Sequence, residues 1–280
     1  MSAKLERVAP APCNDAISSA LLDADACHAL VVAHPAHEVR VHHWMTRVRP
    51  RTYILTSGSR SGDDRTRLEA SAQVIASAGA QYVDYWGAVQ DRALYRQVLD
   101  GDASTLIGLT RTLIDDLIAL EPSVVVTDSW QQYNVAHDLT HVMTRLAARV
   151  TAEALGRPLP VVDYPVIPYR LVPNASKGET LLDLRLGDDE TAIKNAAVRR
   201  IPLIAHEVDE IVASEGSDAF AAEQFNLPLP LHDLVPGRNG KPYYEEFGEQ
   251  RVRSGIYMEV IRGSHTRTIS AALMSAFSRN

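Results

Sequence analysis

Short apolar runs alternate with stretches of helical spacing along the first 165 residues of this chain. His28-Ala-Leu-Val-Val-Ala33 is almost wholly apolar, as a strand buried on both faces must be. His34-Pro35 follows, and because proline has no N–H to give a ladder, the strand is predicted to stop there. Further strands are predicted at Thr52–Thr56, Tyr82–Tyr85, Ser123–Thr127 and Leu159–Asp163. Helices are predicted over Asp15–Leu22 with Asn14 as cap, Val39–Val48, Arg65–Ser77, Ala103–Leu120 and from near Ala136 to Leu155. In Arg65–Ser77 the apolar Leu68, Ala72, Val74 and Ile75 share one side, and Gly79 is the stop.

Strand and helix in alternation predict an α/β fold, a Rossmann-like, mainly parallel sheet with helices on both faces. Ligands of such sheets bind outside the carboxyl ends of the strands. That rule makes the loops at 34–38, 57–67 and 128–138 neighbours on one rim. Beyond Pro165 the pattern is less regular. Lys194–Ser214 reads as a helix, and the proline-rich Phe225–Gly240 reads as loop. Residues 1–13, rich in Ala and Pro, read as a loose arm on a single domain spanning 1–280.

Composition narrows the partners. The chain has 280 residues, 46% hydrophobic and 22% charged, which is ample for one core. A formal net charge of −7 argues against a phosphate-binding face, so nucleic acid is not expected. Two cysteines, Cys13 and Cys27, form neither a disulfide framework nor a zinc pattern. Charges and prolines break up the start of the chain, and no apolar run is long enough to span a bilayer. The expectation is a cytoplasmic protein that meets a small-molecule substrate and no membrane; a homo-oligomer is compatible with the chain.

The chemistry-bearing residues fall on the predicted rim. In Ala33-His34-Pro35-Ala36-His37-Glu38 the two imidazoles are three residues apart in a turn, a spacing that can aim both at one cation. Glu38 adds a carboxylate, although it could equally open the next helix, where it suits the dipole. After the fourth strand, Asp128-Ser-Trp-Gln-Gln-Tyr133-Asn134-Val-Ala-His137-Asp138 places His137 at a helix start facing that turn. His141, one turn further along, reads as structural. The 57–67 loop carries Arg60, Arg65 and Arg67, suited to an oxygen-rich substrate, or else Arg65 merely pairs with Glu69 along the helix. There is no GxGxxG after the first strand, no P-loop and no GxSxG elbow, so neither a nucleotide cofactor nor a serine nucleophile is expected.

In this order the motifs resemble those of the PIG-L/LmbE family of zinc-dependent N-acetylglucosaminyl deacetylases. That family has a (P/A)-H-P-D-D-E turn after its first strand and an H-P-D-H segment after its fourth. Here they read Ala33-His34-Pro35-Ala36-His37-Glu38 and Asn134-Val135-Ala136-His137. Thr56-Ser57-Gly58 matches the family's Thr-Asp-Gly region, and Tyr243–Ile261 with His265 resembles its closing segment. The resemblance implies an LmbE-like fold, a Zn²⁺ ion (or another divalent transition metal) on His34, His37 and His137, and Arg67 binding substrate. His37 stands where the family has an aspartate ligand, which makes a three-histidine set.

The family's general base falls on Ala36 and its assisting histidine on Asn134. Loss of a base typically costs about 10²–10⁴-fold in rate. Glu38 is the expected replacement base, with Asp138, Asp128 and Asp64 as further carboxylates; Asp138 could instead hold the tautomer of His137. Asn134 and an arginine would stabilise the oxyanion, with Arg65 and Tyr133 as further substrate contacts. The activity expected is metal-dependent hydrolysis of an N-acyl or amide bond of a small polar, sugar-like metabolite. Two other readings stand beside it: a metal-dependent lyase, cyclase or condensing enzyme of specialised metabolism, and a non-catalytic binding protein on this fold.

Overall fold

β1 (His28–Val32) is buried at every position, since Leu30 and Val32 face one core while Ala29 and Val31 face the other. Such two-sided burial requires helices on both faces of the sheet. The computed structural model describes residues 13–58, 64–199, 209, 212–213, 216 and 220–278. It contains β2 (Arg51–Ile54), β3 (Gln81–Tyr82), β4 (Val124–Asp128), β5 (Val161–Tyr164), β6 (Thr180–Arg185) and β7 (Ala222–Asn226). The helices are α1 (Asn14–Leu21), α2 (His42–Val48), α3 (Asp64–Ser77), α4 (Asp91–Asp100), α5 (Ser104–Leu120), α6 (Val135–Leu155), α7 (Asp188–Arg199), α8 (Tyr243–Arg253) and α9 (Gly263–Ala276).

The strand order is β3-β2-β1-β4-β5-β7-β6. The first five run parallel, and β7 pairs antiparallel with both β5 and β6. The expected Rossmann-like α/β architecture is therefore what the chain adopts. Chain order runs outward from β1 through β2 to β3 in one direction and from β4 to β5 in the other, so the switch point lies between β1 and β4. In open α/β sheets that crevice is where ligands sit. The register pairs Val31 with Thr127, which carries Ala33-His34 and Asp128 off the same edge of the sheet side by side.

Several elements differ from expectation. The stretch Val39–Val48 splits into a 3-10 turn, His37–Val41, and the short α2. Tyr82–Tyr85 shrinks to the two-residue β3. Phe225 and Asn226, expected to begin a loop, instead end β7, because their backbone belongs to the antiparallel ladder with β6. α4 was not predicted at all: of its ten residues only Asp91, Leu94 and Val98 are buried, too few apolar positions to stand out. The Lys194–Ser214 helix is found as α7 through Arg199, and most of its remainder lies outside the described residues, as does the arm before Cys13.

One buried ion pair holds the turn region to the second half of the sheet. Glu223 on β7 accepts from the His43 and Trp44 amides at the start of α2, each at 2.8 Å, and from Lys194 Nζ of α7 at 2.8 Å. Lys194 Nζ also donates to Arg40 O at 2.7 Å, so no charge in this pair is left without a partner. Among the described residues no helix is long and apolar enough to cross a membrane.

Candidate metal centre

Ala36 has φ 80°, in the left-handed region that costs an L-residue roughly 1–2 kcal/mol. Its amide donates to Ser71 Oγ of α3 at 2.8 Å, and His37 N donates back to His34 O at 3.3 Å, which hold the reversal. The reversal folds the two imidazoles onto each other, with ring centroids 5.1 Å apart. His137, in the first turn of α6, enters from across the switch point, 5.1 Å from His34 and 4.5 Å from His37. All three expected histidines thus converge, in a triangle of rings.

Carboxylates stand behind two of them. His37 Nδ1 lies 2.7 Å from Asp128 Oδ2, which also accepts from Ala33 N at 2.9 Å. Asp128 Oδ1 accepts from the Tyr164 hydroxyl at 2.9 Å. His34 Nδ1 meets Thr56 Oγ1 at 2.6 Å and Asp91 Oδ1 at 3.3 Å. With Nδ1 engaged, Nε2 is the nitrogen left to each of these rings. Among the described residues, His137 Nδ1 is buried with no hydrogen-bond partner, an orphaned donor atom beside two others. Burial holds His34 below the ordinary imidazole range, and His37 and His137 well below it. Neutral rings with free lone pairs are what a divalent ion needs.

Among the described residues, His37, Asp128 and His137 form a cluster in which one donor atom from each lies within 4.8 Å of the others. His34 is outside that tighter group. The hydrogen bonds distinguish the members further, because Asp128 spends both oxygens on protein donors while the imidazoles keep nitrogens in reserve. A carboxylate behind a histidine is the usual support of a metal ligand.

The other expected site residues are placed unevenly. Arg67 donates to Gly58 O, its Nε is buried and unpaired, and its charge helps depress both His34 and His37. Arg65 follows the alternative given for it in the sequence: its side chain is 91% exposed and paired with Glu69 at 2.6 Å along the helix. Tyr133 lies 6.2 Å from His137, ring to ring, and stacks on Tyr243 of α8 at 4.7 Å. Asn134 Oδ1 caps α6 by accepting from Ala136 N at 2.8 Å, and its amide donates to Tyr95 Oη at 3.2 Å. Glu38 is fully enclosed, and burial raises it to about 7 against the opposing pull of the Ser71 hydroxyl and nearby backbone amides.

Asp138 corrects an expectation. Its Oδ1 accepts from Gln131 N at 3.2 Å and Gln132 N at 3.0 Å, so it braces the loop and does not hold His137 Nδ1. Burial pushes Asp138 up to about 8, against about 3.9 in an unfolded chain. Between those values the folded protein keeps a proton that the unfolded chain has released, so this residue's contribution to stability falls as pH rises and is gone above the folded value. Asp138→Asn keeps the accepting oxygen and removes the titration. Its melting temperature should fall less than that of the parent between about pH 5 and pH 9; parallel melting curves across that range would contradict the assignment.

Sequence reasoning missed Asp91, Tyr95 and Thr56 as site residues, and took Asp128 only as a spare base. The rule that loops at strand ends meet could have reached Thr56, and the first residue after β4's apolar run is Asp128 itself.

The solved structure of A40926 pseudoaglycone deacetylase is similar to this chain with a TM-score of 0.50 at 14% identity. The match covers 72% of this chain and 96% of that one. This chain therefore shares the fold of that deacetylase. N,N'-diacetylchitobiose deacetylase from Pyrococcus horikoshii is similar at 13% identity and TM-score 0.49, over 76% of this chain and 90% of that one. A deacetylase of the teicoplanin pathway is similar at 15% and 0.48, over 82% and 94%. No protein-family model and no curated protein matches the sequence.

Proposed function

We propose that this chain is a metal-dependent hydrolase that removes an acyl group from the amide nitrogen of a small, sugar-like substrate. The observation that carries the reading is the convergence of three neutral imidazoles at the switch point, one with a buried nitrogen that no described residue satisfies. The donor set fits a zinc-like ion, with His34, His37 and His137 as ligands and Asp128 behind His37. Bound there, such an ion supplies Lewis acidity toward an acyl carbonyl and toward water. A40926 pseudoaglycone deacetylase, which shares this fold, is by name a deacetylase, in agreement with that chemistry.

The chain's own groups then divide the work. Arg67, with its unpaired Nε–H beside the imidazoles, donates to substrate oxygens, and Tyr133 offers a ring edge on the α6 side. The Asn134 amide, held between the cap of α6 and Tyr95, is the group assigned to the acyl oxygen as charge develops on it. Glu38, raised to about 7 by burial, is the carboxylate poised to take up a proton near neutrality.

The test is direct. Purified protein is assayed for metal by elemental analysis and for acetate release from a panel of N-acetylated amino sugars. About one equivalent of metal and release of acetate are expected. Glu38→Gln should keep the metal and lose about 10²–10⁴-fold in turnover, and full activity in that variant would exclude Glu38 as the base. Metal binding without acetate release from any member of the panel would favour a non-hydrolytic reaction at the same site.

A further inference from the structure

α4 puts two polar side chains against the candidate centre from one face. Asp91 and Tyr95 are four residues apart, so they project from the helix in the same direction. Asp91 reaches His34, and Tyr95 reaches Asn134. Asp91 is 8% exposed, and among the described residues its Oδ1 has no hydrogen bond although it lies 3.3 Å from His34 Nδ1. A carboxylate oxygen buried without a donor is costly, so its position calls for a reason.

The reason lies in the two neutral forms of an imidazole. If His34 carried its proton on Nε2, the Nδ1 lone pair would accept from the Thr56 hydroxyl and would face the Asp91 carboxylate, electron pair against electron pair. If the proton sits on Nδ1, it donates toward Thr56 Oγ1 at 2.6 Å and the Asp91 charge lies beside a polar hydrogen. The carboxylate therefore selects the Nδ1–H form and leaves the lone pair on Nε2. Thr56 Oγ1 alone makes no such choice, because a hydroxyl can donate or accept. Asp128 imposes the same form on His37, with a 2.7 Å contact to its Nδ1.

We propose that Asp91 is the positioning carboxylate of His34, setting its tautomer so that Nε2 is presented to a metal, as Asp128 does for His37. The turn at Ala33–Glu38 thus depends on two carboxylates from separate elements, one from the end of β4 and one from the first residue of α4. The part of this that concerns metal affinity rests on the metal-centre reading above; the tautomer does not, and it can be read in metal-free protein.

Nitrogen NMR of histidine-labelled, metal-free protein distinguishes Nδ1–H from Nε2–H for each ring. His34 and His37 should both be Nδ1–H in the parent. In Asp91→Asn an amide replaces the carboxylate, and His34 should move toward Nε2–H while His37 stays as it is. Asp91→Ala serves if the asparagine variant fails to fold, and should leave His34 a mixture of both forms. Zinc competition against a chelator should show affinity lower by about 10–100-fold in either variant, with cobalt absorption bands shifted. A parent His34 in the Nε2–H form, or an unchanged His34 in both variants, overturns the proposal. So does lowered thermal stability with tautomer and metal affinity intact, which would make Asp91 merely structural. If the parent takes up no metal while His34 still changes form in Asp91→Asn, the metal-centre reading fails and the positioning role stands.

Discussion

His137→Ala is expected to abolish stoichiometric metal binding, lowering affinity on the order of 10³-fold, beyond the about 10–100-fold cost of disturbing a group behind a ligand. His34 and His37 come from one turn, and two imidazoles do not hold a divalent ion against water and competing chelators. His137 is the member that arrives from the other side of the switch point, on the rigid first turn of α6. Alanine is a good helix former, so α6 should survive the change. The lost nitrogen, Nδ1, has no partner among the described residues, so its removal forfeits no hydrogen bond to them. The metal-free variant should therefore melt near the metal-free parent. Added zinc should raise the parent's melting temperature by binding only the folded state, and should do nothing for the variant. Acetate release should fall with the metal. His141→Ala, one turn along the same helix, is the control: His141 Nδ1 donates to Asp128 O at 2.8 Å, burial lowers it to about 3, and its replacement should leave metal stoichiometry unchanged. A zinc-dependent rise in melting temperature that persists in His137→Ala would remove His137 from the ligand set.

Much of this centre can be seen in the linear sequence, for reasons that are local. His28–Ala33 is apolar throughout because β1 is covered on both faces, and Pro35 marks where the backbone leaves the ladder. From there, parallel strands and the carboxyl-end rule bring three loops together without any knowledge of contacts. What is illegible depends on direction or on distance. Arg65 and Arg67 are two residues apart on a helix, about 200° around its axis, so at most one can face the rim; nothing in the sequence says which. Asp138 follows His137 and so suggests a partner for it, yet its carboxylate turns back to the amides of 131 and 132. Asp91 belongs to a helix whose buried apolar face amounts to Leu94 and Val98, and its link to His34 spans 57 positions of chain. Thr180–Arg185 alternates only weakly, as an edge strand half open to solvent does, so the antiparallel end of the sheet was invisible too.

Asp128 separates the two functions that a buried carboxylate can serve here, packing and metal support, and its variants should separate them as well. It accepts from Ala33 N, from the Tyr164 hydroxyl and from His37 Nδ1, and it is 0% exposed. Burial pushes its carboxyl up, while His137, the Ala33 amide and Tyr164 pull it back down. Asp128→Ala leaves three buried donors unanswered, each costing about 1–3 kcal/mol, so a loss of about 3–5 kcal/mol is expected in denaturant unfolding. Asp128→Asn keeps the volume and one acceptor but turns an NH₂ toward either Tyr164 or the Ala33 and His37 pair. If the amide oxygen goes to Tyr164, His37 meets a donor and its proton is driven to Nε2, the nitrogen otherwise offered to the metal. The asparagine variant should therefore unfold at denaturant concentrations closer to the parent than alanine does, yet bind zinc about 10–100-fold more weakly. Calorimetric unfolding and chelator competition on the same samples check both halves. Equal zinc affinity in Asp128→Asn and the parent would mean that His37 does not need its carboxylate to face the cation.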